Sequence, residues 1–303
     1  MSAMPGRGLE RFAWLSIAAA LLTMAIKTLA WWVTGSVGLL SDAMESLVNL
    51  GAAILTLSML RIAAAPPDRD HPHGHDKAQY FASGIEGGLI VLAAAAIIFA
   101  ALPRIWAPQP LGAPLLGIVI STAASGINLA VALALIRASR RHDSIALEAD
   151  GRHLLTDVWT SAGVIVGVIL VAVTGVLVLD PLIALAVAAH IVWTGVQLMR
   201  RSVSGLMDVR IPADELAEVE KILAEYVRRY GVAFHALRTR RAGARRFVSF
   251  HLLVPDEWSV AHAHRLSEEI ESRIGSLVPN ASLLVHIEPI GHQASYDDMP
   301  LDR

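Results

Sequence analysis

The chain has no cysteine. That excludes disulfides and thiolate metal sites, so any metal is held by nitrogen and oxygen. Charge is scarce as well: 17% of its 303 residues are Asp, Glu, Lys or Arg, against 54% hydrophobic residues. Such a balance is too apolar for an ordinary soluble enzyme and places the chain in the membrane class. No small-residue cleavage site separates the first apolar run from the second, so the first reads as a retained anchor. No HExxH is present, which an intramembrane metalloprotease would carry on a helix, and enzymatic activity is not expected. The net charge of −2 gives no reason to expect nucleic acid as a partner.

What is present is a set of apolar stretches long enough to cross a bilayer, at about residues 12–34, 37–62, 80–103, 113–137, 146–174 and 179–199. Six crossings put both ends on one side. Arg7, Arg11, Arg61, Arg69, Lys77, Arg137, Arg140, Arg141, Arg200 and Arg201 flank the spans on that side, whereas the opposite loops hold little beyond Arg104 and Asp180. Basic residues favour the cytoplasm, so both termini are predicted to be cytoplasmic in a multi-pass protein of a bacterial-type inner (cell) membrane, surrounded by lipid.

From about Ser202 the composition turns mixed and charged. Residues 212–230 predict an amphipathic helix, with Pro212 near its first turn and Gly231 after its end. Alternating runs near 234–240 and 246–254, a helix near 259–274 and a strand near 282–288 complete an α-β-β-α-β order. The expected fold is therefore a six-helix transmembrane domain over 1–206, a small cytoplasmic α+β domain over 207–290, and a disordered tail over 291–303.

Two polar patches interrupt the apolar part: Asp42, Glu45 and Asn49 in LLSDAMESLVNL, and His153 and Asp157 in EADGRHLLTDVW. Residues four apart on a helix share one face. Glu45 with Asn49, and His153 with Asp157, can therefore aim their donor atoms at one point. Two such helices packed together would form a four-ligand cage, with Asp42 as an accessory group one turn away. Ionisable groups at membrane depth are costly unless paired or facing a polar cavity. The competing interpretation is four helix-packing polar groups bonded to their neighbours.

The loop PPDRDHPHGHDKAQ holds Asp68, Asp70, His71, His73, His75 and Asp76, a density of carboxylate and imidazole that suits a divalent transition metal, zinc in particular. A solvated His-rich loop with no fixed metal has the same composition. In the soluble part His235, His251, His264 and His286 fall on expected strands or helices, with Glu288 on the same strand face as His286. Each alone reads as a surface histidine; together they make a candidate metal site. His190 reads as a packing residue, and Lys27 as snorkelling or paired with a carboxylate.

With these residues in place the chain resembles the cation diffusion facilitator family, and closely its bacterial zinc and iron exporter branch. The resemblance is carried by IKTLAWWVTGS, the acidic motif of the second span, HPHGHDKAQ, the HxxxD of the fifth span, LRTRRAGARRFVSFHL and VHIEP, in order along nearly the whole chain. It implies that Glu45, Asn49, His153 and Asp157 are the transport ligands and that Asp68, His71 and His75 hold a metal in the loop. It further implies that His235, His251, His264, His286 and Glu288 lie at or beside the cytoplasmic metal positions, and that Lys77 and Asp208 form a charge pair between the two domains. A homodimer exchanging a divalent metal, Zn²⁺ first among candidates, for protons is the implied assembly and activity; no organic cofactor is implied. Zinc exporters of the family usually carry Asp or His where this chain has Glu45, and Asp where it has Asn49. The loss of one negative charge leaves Fe²⁺ and Mn²⁺ open as cargo. The alternative from another class is a membrane-anchored metal-sensing dimer that binds without transport.

Overall fold

The computed structural model describes residues 8–34, 37–107 and 115–296. Its first compact unit, residues 1–203, is built from α1 (Glu10–Thr34), α2 (Val37–Ala63), α3 (Ala78–Trp106), α4 (Leu115–His142), α5 (Ile145–Thr174) and α6 (Leu179–Leu206), the last running on past the unit's end. All six are long and apolar enough to cross a membrane. Their outer faces carry Leu92, Phe99, Trp106, Val173 and Trp193 largely exposed. In water such a surface would drive aggregation, whereas against lipid it is the stable arrangement.

Inward, the helices meet through small side chains. Ala13, Ala19, Ala53, Ala82, Ala132 and Ala146 are buried in one cluster with Leu57, Leu135 and Leu147. Small residues let helices approach closely where hydrophobicity gives no drive for association. Gly151 on α5 is a position where this is obligatory: a Cβ there would stand 2.9 Å from the Ile136 side chain and 3.2 Å from the Ala132 carbonyl oxygen. α4 and α5 are thus pressed together beside His153. Helix α5 begins at an N-cap, Ser144, whose hydroxyl accepts from the Leu147 amide at 3.4 Å, and ends at Gly175 in the left-handed region.

The second unit, residues 204–303, contains α7 (Ala213–Tyr230), β1 (Ala233–Ala242), β2 (Arg245–Val254), α8 (Val260–Leu277) and β3 (Ala281–Pro289). The sheet order is β1-β2-β3, with β1 antiparallel and β3 parallel to β2. A parallel neighbour requires a crossover, which α8 supplies. Val248, Phe250 and Leu252 of β2 alternate toward a core shared with Val219, Ile222 and Leu223 of α7 and Leu266, Ile270 and Ile274 of α8. Both helices therefore cover one sheet face and leave the other bare. Arg246 clamps α7 to β2 through two bonds to Glu215, at 2.8 and 2.9 Å.

The segment from Gly291, expected to be disordered, instead holds a 3-10 turn at Gln293–Tyr296. Local bonds fix it: the Gly291 amide donates to Asp256 at 2.9 Å, the Ser295 hydroxyl to the Pro289 carbonyl at 2.9 Å, and the Tyr296 hydroxyl to the Ile290 carbonyl at 3.0 Å. Residues 297–303 lie outside the described residues.

Candidate metal centres

In the membrane unit, α2 and α5 bring Asn49, His153 and Asp157 together, all buried. The Asn49 amide bridges the other two: its Nδ2 donates to Asp157 Oδ2 at 2.5 Å, and its Oδ1 lies 2.7 Å from His153 Nε2. A carbonyl oxygen only accepts, so His153 carries a proton on Nε2 in this arrangement. The backbone of α2 also runs through positions 42 and 45, but the side chains of Asp42 and Glu45 lie outside the described residues.

A fourth residue, absent from the expected set, completes the cluster. Asn128 of α4 is buried and donates from Nδ2 to the same Asp157 Oδ2 at 3.1 Å, while its own Oδ1 is buried without a hydrogen-bond partner. Two amide donors on one carboxylate oxygen hold Asp157 in place. An amide can also turn its oxygen toward a cation, so the cluster offers imidazole nitrogen, carboxylate oxygen and two amide oxygens. That set fits a divalent transition metal of borderline hardness.

The loop between α2 and α3 gathers Asp68, His71 and His75, whose ligand atoms all lie within 4.8 Å of one another. Asp68 Oδ1 is 3.2 Å from His71 Nδ1, and its Oδ2 is 3.4 Å from His75 Nε2. Gly74, with φ of 87°, permits the tight turn between the two histidines. Backbone amides organise the acid: those of His71 and Asp70 donate to Asp68 Oδ1 at 2.6 and 3.0 Å. The His71 amide foremost holds the Asp68 carboxyl below the usual carboxylate range.

The bare face of the second unit's sheet carries the third cluster. Cross-strand partners point to the same face, and His235, His251 and His286 are successive partners across β1, β2 and β3. Glu288 sits among them. Its Oε2 is 3.0 Å from His235 Nε2 and 3.3 Å from His251 Nδ1, and its Oε1 is 3.4 Å from His286 Nε2. His235 immediately precedes a register shift in β1, and Ala236 has a positive φ of 49°. Bulges of this kind re-aim side chains next to functional sites.

The remaining expected residues are placed elsewhere. His264 stands on α8, 3.8 Å from Glu268 and 64% exposed, outside the group of His235, His251 and Glu288 whose ligand atoms all lie within 4.8 Å of one another. Asp208 accepts from Arg240 within the second unit at 3.2 Å, and Lys77 sits at the start of α3 in the first. Lys27 is buried in α1. His190 is exposed and meets the Trp159 ring edge-on at 5.5 Å.

Residues 13–207 match the family profile described as the cation efflux transmembrane domain, and residues 211–290 that of the cation efflux protein cytoplasmic domain. The "Uncharacterized transporter sll1263" of Synechocystis sp. is 47% identical over 300 residues, covering 98% of this chain and 96% of its own. The cation-efflux pump FieF of Cronobacter sakazakii is 31% identical over 284 residues, covering 94% of each. A solved structure of CzrB in its zinc form, a protein proposed as a zinc transporter, is 36% identical and covers 28% of this chain and 94% of that one, with a TM-score of 0.26.

Proposed function

This chain belongs to the cation diffusion facilitator family of cation efflux proteins, and on that premise we propose that it exports a divalent transition metal in exchange for protons by alternating access. Metal cation efflux through a multi-pass membrane protein is the family's activity; the cargo and the coupling are the proposal. One observation carries it: the buried Asn49, His153, Asp157 and Asn128 cluster between α2, α4 and α5. A protein that only anchors a sensor has no use for an ionisable cluster at that depth.

The bonds support the exchange. His153 Nε2 lies 2.7 Å from Asn49 Oδ1, an acceptor that calls for a proton on that nitrogen. A cation takes the Nε2 lone pair of a doubly protonated ring only as one proton leaves, so binding to the imidazolium form expels a proton and protonation from the far side expels the cation. An ordinary imidazole titrates near neutrality, which suits His153 as the carrier. Glu45 adds a carboxylate ligand from α2 to this set, with Asp42 as an accessory. Zn²⁺ is the proposed cargo, with Fe²⁺ and Mn²⁺ as competitors, because Asn49 and Asn128 are neutral oxygen donors in a set with a single imidazole. Asp68, His71 and His75 hold a metal in the loop. His235, His251, His286 and Glu288 hold metal in a cytoplasmic domain that pairs with a second copy. Both termini face the cytoplasm across an inner membrane, and metal on the soluble domain biases one dimer arrangement.

The test is flux in reconstituted vesicles with a pH-sensitive dye inside. Zn²⁺ addition drives proton movement through the native chain, and Asp157→Ala abolishes it while the protein remains folded. Undiminished flux in that variant would reject the cage. Metal binding to the native protein with no translocation would establish the sensing dimer instead.

A further inference from the structure

A second polar centre lies inside the membrane unit, apart from the metal cluster. Glu86 of α3 and Asp150 of α5 are both fully buried. Each has one oxygen engaged by a hydroxyl from another helix. Thr56 of α2 donates to Glu86 Oε1, and Ser16 of α1 donates to Asp150 Oδ1 at 3.0 Å. The other oxygens, Glu86 Oε2 and Asp150 Oδ2, are buried without a hydrogen-bond partner. Ser83, one turn before Glu86 on the same face of α3, is likewise fully buried with its hydroxyl unpartnered.

Four helices thus each contribute a side-chain oxygen, α2 and α3 through Thr56 and Glu86 and α1 and α5 through Ser16 and Asp150. Among the described residues no Lys, Arg or His is paired with either carboxyl, and the hydrogen bonds they accept come from the Ser16 and Thr56 hydroxyls. Two carboxylates without a counter-charge cannot persist in such surroundings. The pair is therefore neutralised by cations from outside the chain, and two protons or one divalent metal carry the required charge.

Its position says what it serves. Thr56 is seven residues beyond Asn49 on α2, and Asp150 is seven before Asp157 on α5. Seven residues are two helical turns, so both lie on the faces that bear the metal cluster, displaced by about 10 Å. The displacement runs toward the ends of the helices where α2 stops, α3 starts and α5 starts, the end that also carries the Asp68 loop.

We propose that Glu86 and Asp150, with the Ser16 and Thr56 hydroxyls, form a second binding site for the divalent cation, made only of oxygen donors and placed between the loop end of the bundle and the Asn49, His153 and Asp157 cluster. Protons fill it when the cation is absent. An all-oxygen set favours harder ions such as Mn²⁺ over softer ones. Its role as a station on the route rests on the transport reading; cation binding there does not.

The experiment counts Mn²⁺ bound to the full chain in lipid nanodiscs, from the loss of the free-ion signal in electron paramagnetic resonance. Glu86→Gln keeps the side chain's shape and is expected to bind one ion fewer per protomer than the native chain. Asp157→Ala also loses one, and the double variant two. An unchanged count in Glu86→Gln overturns the site, whatever flux measurements show, so failure here is distinct from failure of the transport reading. If Glu86→Gln does not fold, Asp150→Asn replaces it. The native chain gives an independent readout: an apolar carbodiimide, which attacks protonated buried carboxyls, labels Glu86 or Asp150 without metal, and Mn²⁺ protects them even in the Asp157→Ala background. Labelling that Mn²⁺ leaves unchanged, or no labelling, overturns the proposal.

Discussion

Replacing Asn128 with Leu separates the role of the α4 amide in stability from its role in metal binding, because the two effects have opposite signs. Leu has the same number and branching of side-chain heavy atoms as Asn, so the outline packed against α5 is approximately kept. It removes an acceptor, Asn128 Oδ1, that is buried without a partner. Relief of such a group is worth about 1–3 kcal/mol. It also removes the Nδ2 donor at 3.1 Å from Asp157 Oδ2. A hydrogen bond to a charged group contributes about 1.5–3 kcal/mol. The two nearly cancel, so thermal stability in detergent is expected to stay close to native. Metal affinity is not protected by that cancellation: Asp157 loses one of two groups that orient it, and such losses typically weaken binding by about 10- to 100-fold. Isothermal titration of Zn²⁺ into the purified chain, beside a thermal melt, measures both. Native affinity in Asn128→Leu would rule out an orienting role for the α4 amide, and so would a fall in affinity that merely tracks unfolding.

Asn49→Asp restores a carboxylate to the cage and is expected to shift competition between Zn²⁺ and Mn²⁺ in vesicle flux; an unaltered ratio would remove Asn49 from selectivity. Gly151→Ala places a Cβ 3.2 Å from the Ala132 carbonyl oxygen, which cannot step aside as a side chain can, and should cost about 1–3 kcal/mol of stability, read from a thermal melt. Glu288→Gln withdraws the carboxylate that all three sheet histidines face and should lower the Zn²⁺ count of the full chain without unfolding the second unit; an undiminished count would exclude that cluster. Tyr226, pushed up to about 12 by burial and by its bond to Glu269, has a folded value above its unfolded one. Its contribution to stability is therefore complete below about pH 10 and is lost as pH rises toward 12, and absorbance near 295 nm should show one tyrosine ionising late.

The fold was readable because long apolar runs and the α-β-β-α-β periods are local signals. Asn49, His153 and Asp157 were readable for a related reason, since ligands four residues apart on a helix declare a shared face. Asn128 carried no such mark: one amide in a span has many roles, and only the approach of α4 to α5 gives it Asp157 as a partner. Glu86 and Asp150 were visible in principle. Each is an acid inside an apolar helix, and Asp150 repeats the face of Asp157 at seven residues rather than four. Their pairing depends on how α3 and α5 pack, which no single-helix pattern encodes. Strand register was equally hidden, so the alignment of His235, His251 and His286 and the position of His264 on α8 away from them emerged only from the fold.

The histidine row on the bare sheet face has a mechanical corollary. Adjacent strands are kept about 4.8 Å apart by their backbone ladder, so the imidazoles are mounted on a lattice whose pitch the side chains do not choose. Slipping β3 by a single residue would swing His286 and Glu288 into the hydrophobic interior and deliver Val285 and Ile287 in their stead. Whatever fastens the ends of that strand thereby acts as the keeper of the chelate, and an insertion far from any ligand could erase it.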